Sequence, residues 1–135
     1  MIHFFISDVP LSCINQAATE YHVSAKLIIS VLNTERGKIG FVRKNKNGSV
    51  DMGPMQINSS WLPILKNVGI TQHQVLYDPC LNLKIGAWIL SKSIADSHNL
   101  LTGVGDYNSR TFIYNHAYTQ KVRIFYTKLN QVLVS

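Results

Sequence analysis

Asn47-Gly48 is the strongest hairpin signal in this chain, and it stands alone among segments punctuated as helices. Two-residue turns of this kind need residues that tolerate positive φ, which Asn and Gly do. A small hairpin is therefore expected here, with Val50 to Gln56 as its strand or extended return. Elsewhere the pattern is helical. Ser12 can cap a helix through Cys13, Ala17 and Tyr21 to about His22, and Ser24 can cap a second with Leu27, Ile28, Val31 and Leu32 on one face. Gly37 then stops that helix and leaves Glu35 in its last turn.

After the hairpin, Ser59 or Ser60 caps a short helix carrying Trp61, Leu62 and Leu65, with Pro63 in its first turn. Gly69 ends it and Thr71 caps another brief turn. Asp78-Pro79 is a cap followed by proline at the first helical position. It opens what reads as the longest helix, with Leu83, Ala87, Leu90 and Ile94 along it and an end near Asp96. Gly103, Gly105 and Asn108 break the next segment, and a last helix over about residues 115–131 places Tyr118, Val122, Phe125 and Leu129 on one stripe. Many short helices with one hairpin make an α+β fold dominated by helix.

The 135 residues, 46% of them apolar, suit one domain spanning residues 1–135, with no linker composition anywhere. No apolar stretch approaches the roughly 18–20 residues that span a bilayer. The opening Ile2-His3-Phe4-Phe5-Ile6 stops at Asp8; it reads as a packed arm or the remnant of a removed signal peptide. Thirteen Lys and Arg against seven Asp and Glu give +6, which favours an anionic polymer. The cations are scattered, densest at Arg43, Lys44 and Lys46, and no nucleic-acid-binding signature accompanies them, so nucleic acid is the weakest partner reading. No metal or other cofactor is expected, since His22, His73, His98 and His116 lack partners at ligand spacing. Cys13 and Cys80 are open to two readings, buried free thiols or a disulfide.

Glu20 and Glu35 are the only glutamates. Glu35 ends an apolar helix beside a glycine-broken loop, and the negative helix end disfavours its ionisation. A carboxyl kept protonated near neutrality can act as a general acid. Asp51 follows the hairpin turn and supplies a candidate second carboxylate across a cleft, although an Asx-turn role is the ordinary reading. Two facing carboxyls are what glycoside cleavage uses.

The stretch Asn47-Gly-Ser-Val-Asp-Met-Gly-Pro-Met-Gln-Ile-Asn-Ser-Ser-Trp61, preceded by Glu35, resembles the catalytic segment of the lysozyme superfamily. It is most similar to the small lytic transglycosylases that accompany secretion and conjugation machines in Gram-negative bacteria. Asp78-Pro-Cys-Leu-Asn-Leu-Lys-Ile-Gly-Ala-Trp-Ile-Leu90, Gly105-Asp-Tyr-Asn-Ser109 and Tyr118-Thr-Gln-Lys-Val122 resemble later family motifs in the same order. The likeness covers about residues 12 to 130.

This resemblance implies a lysozyme-like fold with the hairpin beside an active-site cleft. It implies Glu35 as acid/base, Met55 and Gln56 lining the cleft, Tyr107 and Asn108 hydrogen-bonding near the acid and the sugar, and Tyr118 orienting Glu35. It further implies a Cys13–Cys80 disulfide, a periplasmic location, peptidoglycan strands as substrate, and components of a secretion or conjugation apparatus as partners. The expected activity cleaves the bond between N-acetylmuramic acid and N-acetylglucosamine with formation of an anhydro ring. The alternatives are a hydrolytic muramidase, which Asp51 would suit, and a non-catalytic wall-binding module. Three positions depart from the family pattern: Arg36 for serine, Pro54 for a small apolar residue, and Arg110 for glycine. A cation at Arg36 would lower the Glu35 pKa unless it points away.

Overall fold

The computed structural model describes residue 6, residues 8–109 and residues 112–134. The apolar segment 2–5 and Arg110 lie outside the described residues. The described residues form seven α-helices and a three-stranded sheet: α1 Leu11–Tyr21, α2 Ala25–Glu35, β1 Val42–Lys44, β2 Val50–Met52, β3 Ile57–Asn58, α3 Leu62–Asn67, α4 Gln72–Tyr77, α5 Pro79–Ser97, α6 Leu100–Asn108 and α7 Phe112–Val134. A single 3₁₀ turn, Ser59–Trp61, leads into α3. The expected α+β fold, mostly helical, is the one observed.

Local chemistry sets the helix starts. The Ser24 hydroxyl accepts from the Leu27 amide, the Asp78 carboxylate from Leu81, and Thr71 forms a reciprocal capping box with Gln74. Ser12 does not cap α1. That helix begins one residue earlier at Leu11, behind Pro10, with no side-chain cap. Asn58 replaces Ser59 and Ser60 as the cap of the 3₁₀ turn, its side chain accepting from the Ser60 amide. Asn99, which the sequence reading passed over, caps α6.

Glycine behaves differently from expectation in three places. Arg36, not Gly37, takes the left-handed position that ends α2, at φ 54°. Gly37 serves close approach instead: a Cβ there would lie 2.0 Å from the Gly53 carbonyl oxygen. Gly103 and Gly105 do not break the chain but sit inside α6, where added side chains would strike Ile94 and Asn115 respectively. At the hairpin, the connection is a five-residue loop, 45–49, in which Gly48 takes positive φ and Asn47 does not.

The sheet is antiparallel in the order β1-β2-β3, with Arg43 opposite Asp51 and Asp51 opposite Asn58. The expected single return strand is thus split. β2 stops at Met52, the chain turns through Gly53–Gln56, and β3 resumes at Ile57. The core is built from Ile14 and Ala17 of α1, Ile28, Val31 and Leu32 of α2, Leu83, Ala87 and Leu90 of α5, and Met52 and Met55 from the sheet and its turn. α5 packs against α1, α4 and α6, and α7 packs against α2 and α6. α7, at 23 residues, exceeds α5 at 19, so the central helix is not the longest. On α7 the expected stripe holds, with Tyr118, Val122 and Leu129 buried and Phe125 half-buried. Cys13 and Cys80 are joined in a disulfide between α1 and α5, with Cα atoms 5.5 Å apart.

Candidate active site

A cleft of about 320 Å³ opens between the end of α2, the sheet and the end of α6, lined by Glu35, Asp51, Gln56, Asn58, Trp61 and Tyr107 among others. Both sequence-nominated carboxyls therefore face one cavity. Asn108, the last residue of α6, also lines it and is exposed.

Three elements place Glu35. It occupies the last turn of α2, whose buried face anchors the helix, and the Arg36–Gly37 exit packs directly on the Gly53-Pro54 turn. The carboxyl is pushed up to about 8, first by burial and then by the neighbouring Asp51 charge; Arg43 and Lys121 pull the other way. Arg36 is exposed and does not figure among these influences. The cation of concern is Arg43, which arrives from the facing strand and donates from Nη2 to the Glu35 carbonyl oxygen at 3.4 Å.

Asp51 is held by sheet register. Its Oδ1 accepts from Asn58 Nδ2 at 2.9 Å, and the same Asn58 amide donates to Ser49 Oγ at 3.0 Å. With Asn58 Oδ1 accepting from the Ser60 amide, every polar atom of that side chain is used, and its orientation is fixed. Asn58 thus sets the Asp51 carboxylate from one side.

The turn between β2 and β3 is held by a buried amide on α5. Asn82 donates from Nδ2 to the carbonyls of Met52 and Val75 and accepts at Oδ1 from the Met55 amide. Gly53 is required beside it, since a Cβ would fall 2.3 Å from Asn82 Nδ2. Gln56 follows at φ 53°, a left-handed conformation that costs a non-glycine residue free energy. Its Nε2 donates to the Gly53 carbonyl at 3.0 Å, while Oε1 is buried without a partner among the described residues.

Met55 does not line the cleft. It is fully buried with its side chain against Gly86, and it acts through its backbone: its carbonyl accepts from the Tyr107 hydroxyl at 2.7 Å. Tyr107 stacks on Tyr118, ring centroids 6.4 Å apart. Tyr118 is 6% exposed and does not line the cleft; its hydroxyl has no hydrogen-bond partner among the described residues. Burial and then the Glu35 charge push both phenols well above their usual range. Tyr118 is therefore within the field of Glu35 without a hydrogen bond to it.

Sequence reasoning gave no site role to Asn58, Ser60, Trp61, Ile57 or Ile89, all of which line the cleft. Ile57, Asn58, Ser60 and Trp61 lie in the quoted motif, where Ser60 and Trp61 read as the start of a short helix. Trp61 is fixed edge-on against Trp88, centroids 5.5 Å apart, and presents an aromatic wall. No group of three or more His, Cys, Asp or Glu able to hold a metal is present among the described residues.

A mostly helical fold with a small antiparallel sheet on one wall of a groove that holds two carboxyl groups is the lysozyme-like α+β fold. Residues 12–123 match the transglycosylase SLT domain, and the chain belongs to that family of lytic transglycosylase-type enzymes. Among curated proteins it is 35% identical over 133 residues to a peptidoglycan-binding-like protein of Escherichia coli O157:H7, covering 90% of this chain and 80% of that one. It is 35% identical over 120 residues to invasion protein IagB of Salmonella typhimurium strain SL1344, covering 82% and 75%. It is 30% identical over 100 residues to protein IpgF of Shigella sonnei, covering 73% and 66%.

Proposed function

We propose that this protein is a peptidoglycan lytic transglycosylase acting outside the cytoplasm, with Glu35 as its single acid/base. The carrying observation is a cleft carboxyl whose pKa of about 8 keeps its proton at neutral pH. In the proposed cycle Glu35 gives that proton to the oxygen linking N-acetylmuramic acid to N-acetylglucosamine, and the bond to the anomeric carbon breaks. The Glu35 carboxylate then takes the proton from the muramic acid C6 hydroxyl as that oxygen closes onto the anomeric carbon. The ring is 1,6-anhydro, no water is consumed, and the acid is restored.

Asp51 is assigned the support of positive charge developing at the anomeric carbon, and its negative charge also helps keep Glu35 protonated. Gln56, Tyr107 and Asn108 are assigned to the sugar, since all three line the cleft. Met55 and Tyr118 are positioning residues, the first through its carbonyl and the second by backing the Tyr107 ring. The family resemblance, and a relative that carries the name invasion protein, support wall opening at a secretion, conjugation or pilus apparatus.

Asp51 favours one second reading, hydrolysis of the same bond, because a carboxylate in the groove can also activate water. Mass spectrometry of muropeptides released from purified sacculi, wild type beside Glu35→Gln, separates the two. Anhydro ends that vanish in the variant are expected. Reducing ends heavier by one water would make the protein a muramidase, and no release by the wild type would leave a wall-binding module.

A further inference from the structure

The sheet face that carries Asp51 continues outward beyond the cleft. Arg43, Asp51 and Asn58 are directly paired across the three strands. Paired residues in an antiparallel sheet project from the same face, so the three side chains form one row. The inner two line the cleft, and Arg43 stands one strand spacing further out, about 4.8 Å, on the edge strand. All three residues of β1 are exposed.

Arg43 is held in place there. Its guanidinium lies over the Phe41 ring, 5.7 Å from the centroid, and reaches back to the Glu35 carbonyl. Stacking of this kind leaves the outer edge of the guanidinium fork free for a planar anion. The segment that carries it is basic, and the carboxylate it faces across the strands is Asp51. From Glu35 to Asp51 the chain carries Arg36, Lys38, Arg43, Lys44 and Lys46, with no acidic residue between. Among the described residues none of the five forms an ion pair, the one such pair being Lys92–Asp96.

Resting on the glycan reading above, we propose that the β1 rim is a second binding surface that takes the carboxylates of the peptide stems borne by the glycan. A stem branching from a sugar held in the cleft leaves over its rim, and the Arg43–Phe41 platform is the wall it meets there. The same edge could accept an added strand from an acidic protein segment. The unbroken row from Arg43 into the cleft favours the substrate instead. The enzyme therefore distinguishes charged stems from neutral ones, in addition to recognising sugars.

Binding in the Glu35→Gln background tests this, because turnover and the effect of Arg43 on the acid are then both removed. The probes are purified glycan strands with intact stems, and the same strands with their stem carboxylates converted to neutral amides. Native strands are expected to bind roughly two- to fivefold tighter, with the advantage shrinking as salt rises. Adding Arg43→Gln, at an exposed site whose melting temperature serves as the folding control, abolishes the advantage. Adding Lys128→Gln preserves it. That change removes the same charge near Asn130, which bonds Lys26 at the far end of α2.

Equal affinity of the Glu35→Gln protein for the two strands overturns the proposal and returns the edge to an acidic protein partner. A loss of the same size in the Lys128 variant also overturns it, since net charge would then suffice. Binding of neither strand defeats the glycan reading itself, and this inference with it.

Discussion

The Tyr107 hydroxyl donates to the Met55 carbonyl at 2.7 Å, joining the end of α6 to the turn that delivers Gln56. That turn is gripped from behind by Asn82 and from the front by Tyr107, so the cleft floor is fixed on both sides. Tyr107→Phe keeps the ring and its stack on Tyr118 but leaves a buried carbonyl unpaired. It is expected to cost about 1 kcal/mol in stability. The cost in turnover is larger, roughly tenfold, because Gln56 and the reacting sugar lose their register with Glu35. Thermal melts beside muropeptide release rates check both. A variant as active as the wild type would show that the turn needs no support from α6.

The alkaline limb of activity follows from the deprotonation of Glu35. Its pKa of about 8 means that cleavage, which needs the proton, is sustained through neutral pH and falls as pH rises through about 8. Asp51 raises that value and Arg43 lowers it. Asp51→Asn therefore moves the limb to lower pH and Arg43→Gln moves it to higher pH. A pH profile of kcat/KM in the three proteins reads the direction of each move. Shifts of the same sign in both variants would contradict the assignment of Glu35 as the titrating acid.

The Cys13–Cys80 bridge closes a separation of 67 residues and pins α1 to α5. In the chain-entropy account a loop of that size stabilises by roughly 4 kcal/mol. Cys13→Ser with Cys80→Ser is expected to lower the melting temperature by well over 10 °C, with 1 kcal/mol worth about 3–6 °C at this chain length. Differential scanning calorimetry with and without reductant measures it. Equal melts would mean that the packing of α1 on α5 holds the helices without the bond.

Much of this architecture was legible because its signals are local. Ser24, Thr71 and Asp78 announce their helices through hydrogen bonds made within three residues, and the structure keeps all three caps. The failures have a common physical origin in contacts between distant segments. Gly37, Gly103 and Gly105 look like punctuation along the chain, yet they answer to Gly53, Ile94 and Asn115. Met55 sits in a recognisable motif, but its side chain belongs to the core because Gly86 leaves room for it. The elevated Glu35 pKa was expected from the helix end and arises chiefly from burial and Asp51. No spacing rule reveals that Asn82, thirty residues from Met52, holds the cleft floor.

Glu35→Gln, besides removing the acid, is expected to stabilise the fold in a pH-dependent way. Below pH 4.5 the carboxyl is protonated in both folded and unfolded chains, and the wild type has its full stability. Between 4.5 and about 8 the unfolded chain releases its proton while the folded protein keeps it, so wild-type stability declines as pH rises. Above about 8 both states are ionised, and the folded state bears the cost of a charge in the cleft wall. Glutamine is neutral throughout and escapes this decline. The difference between the two proteins therefore widens in favour of the variant from acid to alkaline pH. With partial solvent access at the cleft, the change is on the order of 2 kcal/mol. Urea melts of both proteins at acid, neutral and alkaline pH isolate the contribution, since every other titrating group is shared. A difference that stays constant with pH would mean that Glu35 keeps its ordinary pKa in the folded protein, and the proposed acid would then lack its proton at neutrality.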